Sequence, residues 1–434
     1  MRWLACVLLA ACSPSFVRAD EPTAPATPTY GGTLWTRPAL TGDWNGLRDR
    51  LAASGLVVAL DATYTFQTVT SGGFNGPLFH RLSDEGDTGN VVSSDLSLKL
   101  DTGRAGLWQG GLVDVQASAR AGRSVVQRAG TVSPVEDDAL LPNVEDRFDQ
   151  AALAVTAFTF TQRLGHGIAL FGGLLNGAEG DANELAGSAL GKDRFLNSAF
   201  LYSLVEDASV PNVSLGAGVG WKPGEHLSGF VSALGASETA GEDPFERWHG
   251  TTVSTEWTLA HSLAGRGGAQ TFGALYGVGV RRTDIDVDPR LAISDLLHGV
   301  PVSTSDTDTW ALYYNAYQFL HGDAEGGWGA FARLGLSDGN PNPVKWNATA
   351  GLGGIGLLPR RRADRWGLGA YYIGMSNEAL LRGLGVKDEV GGELFYDVGV
   401  TPWLHVTVDM QAIDAALPRA GTTCVFGLRT HVDL

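Results

Sequence analysis

The last 32 residues of the chain alternate apolar and polar side chains twice in succession, and the pattern recurs, broken by turn-rich stretches, back to about residue 55. In the final run Cys424, Phe426, Leu428, Thr430, Val432 and Leu434 share one face, and Thr423, Gly427, Arg429, His431 and Asp433 share the other. Just before it, Leu404, Val406, Val408, Met410 and Ala412 oppose His405, Thr407, Asp409 and Gln411. Successive strand side chains point to opposite faces, so each segment is apolar on one side and hydrated on the other. A barrel with lipid outside and a wet lumen inside needs walls of this kind.

The mean hydropathy of zero is too polar for a bundle of spanning helices. No apolar run approaches the 18 or more residues such a helix requires. The 59 glycines suit bulges, tight turns and barrel corners. These observations predict an all-β fold, a transmembrane antiparallel β-barrel of about sixteen strands preceded by a short periplasmic helix. The alternating segments lie near 56–69, 90–102, 111–121, 149–162, 168–176, 212–221, 227–236, 251–260, 269–281, 308–320, 328–336, 346–358, 366–374, 390–400, 403–413 and 422–434. Short connections such as 222–226 and 401–402 take turns with long ones such as 122–148, 177–211 and 282–307. Outer-membrane barrels have short periplasmic turns and longer outer loops, and an even strand count returns both ends of the barrel to the periplasm.

Residues 1–19 read as an export signal: Arg2, an apolar run from Trp3 to Ala11, and Val17-Arg18-Ala19 before Asp20. A competing reading places a lipid on Cys12, after Leu9-Ala10-Ala11. Cleavage after Ala19 would leave Cys424 alone, with no intramolecular disulfide, and would deepen the net charge from −16 to −18. Residues 20–54 read as an extended tether, rich in Pro, Thr and Ala, followed by a short amphipathic helix. Asp43 would cap that helix, Leu47 and Leu51 would share its face, and Gly55 would end it. Residues 55–434 form the barrel.

Acidic runs at Asp84–Asp87, Glu136–Asp138, Glu145–Asp146 and Asp284–Asp288 read as solvated loops. Pro289 stands where a calcium loop needs glycine, so no metal site is proposed there. The negative charge argues against nucleic acid as partner, and Arg360-Arg361-Arg362 reads as a turn. Gly351 to Gly356 formally satisfies a dinucleotide fingerprint but lies among barrel strands rather than at the opening of a helix. The sequence holds no nucleophile elbow, phosphate loop or HExxH pair, and neither a catalytic residue nor a cofactor is proposed.

Selectivity then rests with the inward face. Inward positions include Asp61, Asp95, Lys99, Asp114, Arg120, Glu256, Asn315, Arg333, Glu393, Asp397, Asp409 and Arg429, of both charge signs. Sugars bind through planar charged or amide groups that exchange several hydrogen bonds, and through aromatic rings against their C–H faces. The 26 arginines against 5 lysines favour planar donors of this sort. Mixed charges that merely hydrate the lumen fit the periodicity equally well.

Several stretches resemble the carbohydrate-selective porin (OprB-type) family of bacterial outer membranes. Leu40-Thr41-Gly42-Asp43-Trp44-Asn45-Gly46-Leu47-Arg48 is similar to its N-terminal signature, with Asn45 where glycine is usual. Asn183 to Gly187, Phe195-Leu196-Asn197, Tyr313-Tyr314-Asn315, Trp328 to Arg333, Ser337 to Pro343, Gly351 to Gly356 and Asp364 to Gly369 follow in order. Glu393 to Tyr396, Thr401 to Leu404, Asp409-Met410-Gln411 and Gly427-Leu428-Arg429 complete the series. The resemblance implies a sixteen-stranded pore passing monosaccharides and related small solutes down their gradient. Small neutral sugars, outer-membrane lipid and, during biogenesis, the barrel-assembly machinery are the implied partners; a lone barrel and a homo-oligomer both fit. Pore-lining and sugar-binding candidates are Asp95, Asp114, Arg120, Asn315, Arg333, Glu393, Asp409 and Arg429. Two alternatives remain: a general diffusion pore without sugar preference and an outer-membrane barrel enzyme.

Overall fold

The computed structural model describes residues 27–74, 86–140, 152–177, 180–237, 239–240, 250–292, 304–306 and 308–434. The expected export signal and the acidic pairs Asp84-Glu85 and Glu145-Asp146 lie outside these residues.

Sixteen antiparallel strands close into a barrel. They are β1 (Leu56–Ser71), β2 (Thr88–Asp101), β3 (Gly111–Arg123), β4 (Ala152–Gly165), β5 (Ile168–Asn176), β6 (Val213–Trp221), β7 (Leu227–Gly235), β8 (Thr251–Leu263) and β9 (Arg266–Val278). After a small hairpin of β10 (Arg281–Thr283) and β11 (Thr304–Asp306) come β12 (Thr309–His321), β13 (Trp328–Ser337), β14 (Val344–Ile355), β15 (Arg365–Met375), β16 (Glu389–Thr401), β17 (Leu404–Asp414) and β18 (Thr422–Asp433). The seam pairs β1 with β18 from Asp61 opposite Asp433 to Thr68 opposite Phe426. Closure removes the free edges that an open sheet would leave unpaired in lipid.

Strand alternation places residues as expected. Tyr64, Val92, Leu153, Phe272, Leu312, Leu334, Leu368 and Met410 are exposed on the outer face, and Thr63, Thr65, Gln67, Asn315, Arg333 and Asp409 are buried inside. Two departures have local causes. Strand β9 starts three residues earlier than expected because Ala264 and Gly265 both adopt left-handed backbone, a two-residue hairpin that replaces the longer connection. The β10–β11 hairpin lies within a stretch that carries no alternation long enough to read.

Short and long connections segregate to opposite ends. The turns 166–167, 222–226, 264–265 and 402–403 lie at the end that holds the chain's N-terminal segment, and the described parts of the loops after β3, β5 and β9 begin and end at the other. Helix α1 (Leu47–Ala53) packs on β1 at the former end. Its buried side is Arg48 and Ala52, whereas Leu47 is exposed, which corrects the expected Leu47–Leu51 face. The Arg48 guanidinium donates to Val58 O at 2.8 Å and Leu434 O at 2.8 Å and stacks 3.9 Å above the Tyr30 ring. Asp43 does not cap the helix through its side chain; Gly46 occupies that position. Asn45, where the signature has glycine, sits at φ 58, a left-handed conformation that asparagine tolerates better than most residues. The Leu40 N–H donates to Asp433 O, so this segment ties the two ends of the seam together.

Candidate functional site

The barrel is not an empty tube. The β5–β6 loop and the described part of the β3–β4 loop fold into the lumen, carrying helices α2 (Val126–Ala129), α3 (Ser198–Leu201) and α4 (Leu204–Asp207). They bury Phe195, Phe200, Leu201, Leu204 and Val205 against Phe331, Tyr371, Ile373 and Phe395 of the wall. The Phe195 and Phe200 rings stack with centroids 4.3 Å apart, and Phe195 meets Phe395 edge-on at 4.8 Å. Each such ring gains roughly 1.5–3 kcal/mol from leaving water. The wall makes room with inward glycines: a Cβ at Gly369 would lie 2.4 Å from the Phe200 ring, and one at Gly367 would lie 2.4 Å from Phe395 and 2.7 Å from Phe195. Gly351, from the dinucleotide-like run, likewise faces the Phe331 ring from within β14.

Polar wall residues hold the loops at fixed points. Arg333, fully buried, pairs with Asp181 at 2.5 Å and donates to the carbonyls of Asp181 and Phe200. Asn315 donates to Asp181 O and Ala182 O and accepts from Asn183 Nδ2 at 2.6 Å. Glu393 accepts the backbone N–H groups of Leu196 and Asn197 at 2.6 and 2.9 Å. Glu389 does the same for Val132 and Ser133. Asp409 lies beside Glu393 and accepts from Gln411, which in turn donates to Val135 O. Arg429 donates to Arg194 O at 2.6 Å. Arg120 bridges Asp95 at 2.9 Å and Asp138 at 3.0 Å, and Lys192 of the loop joins both carboxylates. A buried charge is tolerated only when paired and hydrogen-bonded in this manner.

This arrangement also corrects the reading of Glu136-Asp137-Asp138 as a solvated run, because all three are buried inside the barrel. Ser198 Oγ and Tyr202 OH donate to Asp137, and Asp138 meets Arg120 and Lys192. Burial nonetheless raises the Asp137 carboxyl above its ordinary range, with those hydrogen bonds opposing the shift. By contrast Asp284 and Asp288 cap turns, accepting from the N–H groups of Asp286 and Arg290. Arg361 closes its turn on Asp364.

The loops occupy much of the lumen beside β12–β18, β1 and β2, where a small pocket remains among Thr65, Asp138, Gly191 and Arg429. On the other side, bounded by β3 to β8, a cavity of about 120 Å³ remains. Its wall contributes Asp114, Thr159, Thr161, Phe171, Asn176, Ser214, Phe230, Ser232, Ser254 and Glu256, and the loop contributes Tyr202, Glu206, Asp207 and Asn212. Two aromatic rings, 6.2 Å apart and edge-on, stand among hydroxyl, amide and carboxylate groups. All eight sequence candidates point inward, as expected. Asp114 lines this cavity, while Asp95, Arg120, Asn315, Arg333, Glu393, Asp409 and Arg429 meet the inserted loops instead.

The sequence model of the family described as "Carbohydrate-selective porin, OprB family" matches residues 91–434. The chain belongs to that family. It is a sugar-selective porin of a bacterial outer membrane. Among solved structures, the high-pH structure of Pseudomonas putida OprB is similar over 93 % of this chain and 100 % of that one, with a TM-score of 0.77 at 20 % identity. The low-pH structure of Pseudomonas putida OprB aligns over 92 % and 99 % with a TM-score of 0.56 at 17 % identity. At these identities the likeness speaks for the barrel fold alone. Comparison with curated proteins finds no significant match.

Some of the stretches that carry the family resemblance meet in the porin's interior. Asn183, Asn315 and Arg333 meet around Asp181, and Asn197, Glu393 and Gln411 meet around the second loop contact. Sequence reasoning missed Phe171, Tyr202, Glu206 and Phe230. Strand β5, Ile168-Ala-Leu-Phe-Gly-Gly-Leu-Leu-Asn176, is apolar on both faces, so no polar alternation marks Phe171 as luminal. Tyr202 and Glu206 come from a loop, where strand period says nothing.

Proposed function

We propose that monosaccharide-sized sugars cross this porin passively through the space between the β3–β8 wall and residues 202–212 of the β5–β6 loop. The observation that carries the reading is the cavity of about 120 Å³ left between the anchored loop and the β3–β8 wall, edged by Phe171, Phe230 and Tyr202 together with Asn176, Asn212, Ser214, Ser232 and Thr159. Rings suit the C–H faces of a pyranose, and the hydroxyl and amide groups exchange hydrogen bonds with its hydroxyls. On this reading Asp114 touches the solute, and Asp95, Arg120, Asn315, Arg333, Glu393, Asp409 and Arg429 shape the passage by fixing the loops. The protein then acts as a channel and performs no chemistry on its solute. Residues 1–19 serve as its cleaved export signal, the barrel-assembly machinery inserts it, and the end holding α1 faces the periplasm.

Proteoliposome swelling in isosmotic glucose, sucrose and maltotriose tests the reading. Entry should fall steeply beyond the monosaccharide, and glucose should reduce single-channel ion current saturably. Equal entry of all three sugars with no effect on current would show a general diffusion pore instead.

A further inference from the structure

The Arg360-Arg361-Arg362 run takes no part in the sugar pathway. It lies in the turn 356–364 between β14 and β15, at the end of the barrel that holds α1. The base of this turn is tied to the lipid-facing side of the wall. Buried Asp364 accepts from Arg361 at 2.6 and 2.7 Å and from the Tyr396 hydroxyl at 2.6 Å. Tyr396 in turn shares an outer row with Trp366, Gly354 and Trp328. Trp221 and Trp257 stand on the outer face near the same end, with ring centroids 6.2 Å apart. Such rings collect where hydrocarbon gives way to headgroups, which puts the turn at headgroup level.

Arg361 is committed to Asp364, and Arg365 pairs with Asp193. The side chains of Arg360 and Arg362 are exposed and, among the described residues, make neither an ion pair nor a hydrogen bond. The acids of the adjoining turn do not neutralise them: Asp323 accepts the N–H of Glu325, and neither carboxylate pairs with an arginine. Arg360 also sits at φ 69, a left-handed conformation that glycine or asparagine adopts at lower cost, so the turn itself gives no reason for arginine there. Leu357 and Leu358 precede the run and are 51 and 50 % exposed. Exposed leucines beside unpaired guanidiniums suit a molecule that carries both acyl chains and phosphate, which a guanidinium grips with two parallel N–H donors.

We propose that the turn 356–364 is a binding site for an anionic phospholipid, with Arg360 and Arg362 taking the headgroup phosphate and Leu357, Leu358 and Trp366 meeting the acyl-chain region. The proposal rests on the orientation given above, which places this end in the phospholipid leaflet that faces the periplasm. One basic residue at an anionic membrane surface changes occupancy roughly fivefold, so the pair changes it about 25-fold.

The test is binding of a fluorescent phosphatidylglycerol to the intact porin in neutral detergent, followed by displacement with unlabelled phosphatidylglycerol, phosphatidylcholine, lipid A or inorganic phosphate. Phosphatidylglycerol should displace the probe at least tenfold more effectively than phosphatidylcholine, and binding should weaken as ionic strength rises. Replacing both arginines, Arg360→Gln with Arg362→Gln, should weaken binding about 25-fold and leave glucose uptake unchanged. Equal displacement by phosphatidylcholine, which is read on the unaltered protein and needs no variant to fold, would overturn the site; so would a double variant that binds the probe as well as the intact porin. Inorganic phosphate competing as strongly as phosphatidylglycerol would show an anion site that does not recognise lipid, against the proposal. Stronger displacement by lipid A would overturn both the site and the orientation on which it rests, leaving the sugar pathway untouched.

Discussion

Replacing Arg333 with alanine should open the porin rather than block it. The side chain is fully buried, pairs with Asp181 at 2.5 Å and donates to the Phe200 and Asp181 carbonyls. Its loss leaves the Asp181 carboxylate, 1 % exposed, inside the lumen without a counter-charge. Breaking one partner of a buried pair costs about 3–5 kcal/mol. That cost falls on docking of the β5–β6 loop, because the strand pairing on either side of Arg333 is made by backbone. A shift of this size lowers the ratio of docked to released loop roughly 10²- to 10⁴-fold. Glu393 and Asn347 still hold Leu196, Asn197 and Ser203, so release should be partial and intermittent. Single-channel recording should show conductance at least doubled, with flicker between levels, and weaker block by glucose. Arg333→Lys keeps the charge but not the planar fork and should fall between. Unchanged conductance and unchanged sugar block in Arg333→Ala would refute the anchoring role.

Three further outcomes follow from the same geometry. Gly369→Leu places a Cβ 2.4 Å from the Phe200 ring and should displace it at about 1–3 kcal/mol, raising conductance as Arg333→Ala does. Arg48→Ala removes charged hydrogen bonds to Val58 O and Leu434 O worth about 1.5–3 kcal/mol each, so the thermal midpoint should drop with glucose uptake unchanged. Burial, and then the carboxylates of Asp181 and Glu256, raise Glu206 well above the ordinary carboxylate range, with Tyr313 and Arg333 opposing. The contribution of Glu206 to loop docking is fully present below its ordinary pKa and is lost as pH rises through the raised one. Channel flicker recorded from pH 5 to 9 checks the sign: it should increase as pH rises.

The barrel was legible because a wall with lipid on one side and water on the other imposes period two on every strand. Register followed wherever that contrast was sharp, as along Leu404–Asp414 and Thr422–Asp433. At β5 the bounds 168–176 were legible but the inward face was not, both faces being apolar, and β10 and β11, each three residues long, carry no readable alternation. The direction of Arg333, Glu393 and Asp409 was equally legible, but their partners were not. Asp181, Leu196 and Asn197 lie in a loop that strand periodicity does not reach, and they meet the wall across 152, 197 and 196 residues. Gly351, Gly367 and Gly369 lie in barrel strands by sequence, but what their missing side chains make room for shows only where Phe200, Phe331 and Phe395 occupy the space above them.

The central claim is that sugar passes between the β3–β8 wall and the inserted loop. A single labelling measurement tests it most directly: Thr159→Cys, in a background with Cys424 replaced by alanine, is coupled to a bulky methanethiosulfonate reagent. Thr159 lines the cavity, and Cys424 belongs to the outer face of β18. Glucose entry into proteoliposomes should fall by more than half on stoichiometric labelling and recover on reduction; full labelling with undiminished glucose entry would place the pathway elsewhere and contradict the account.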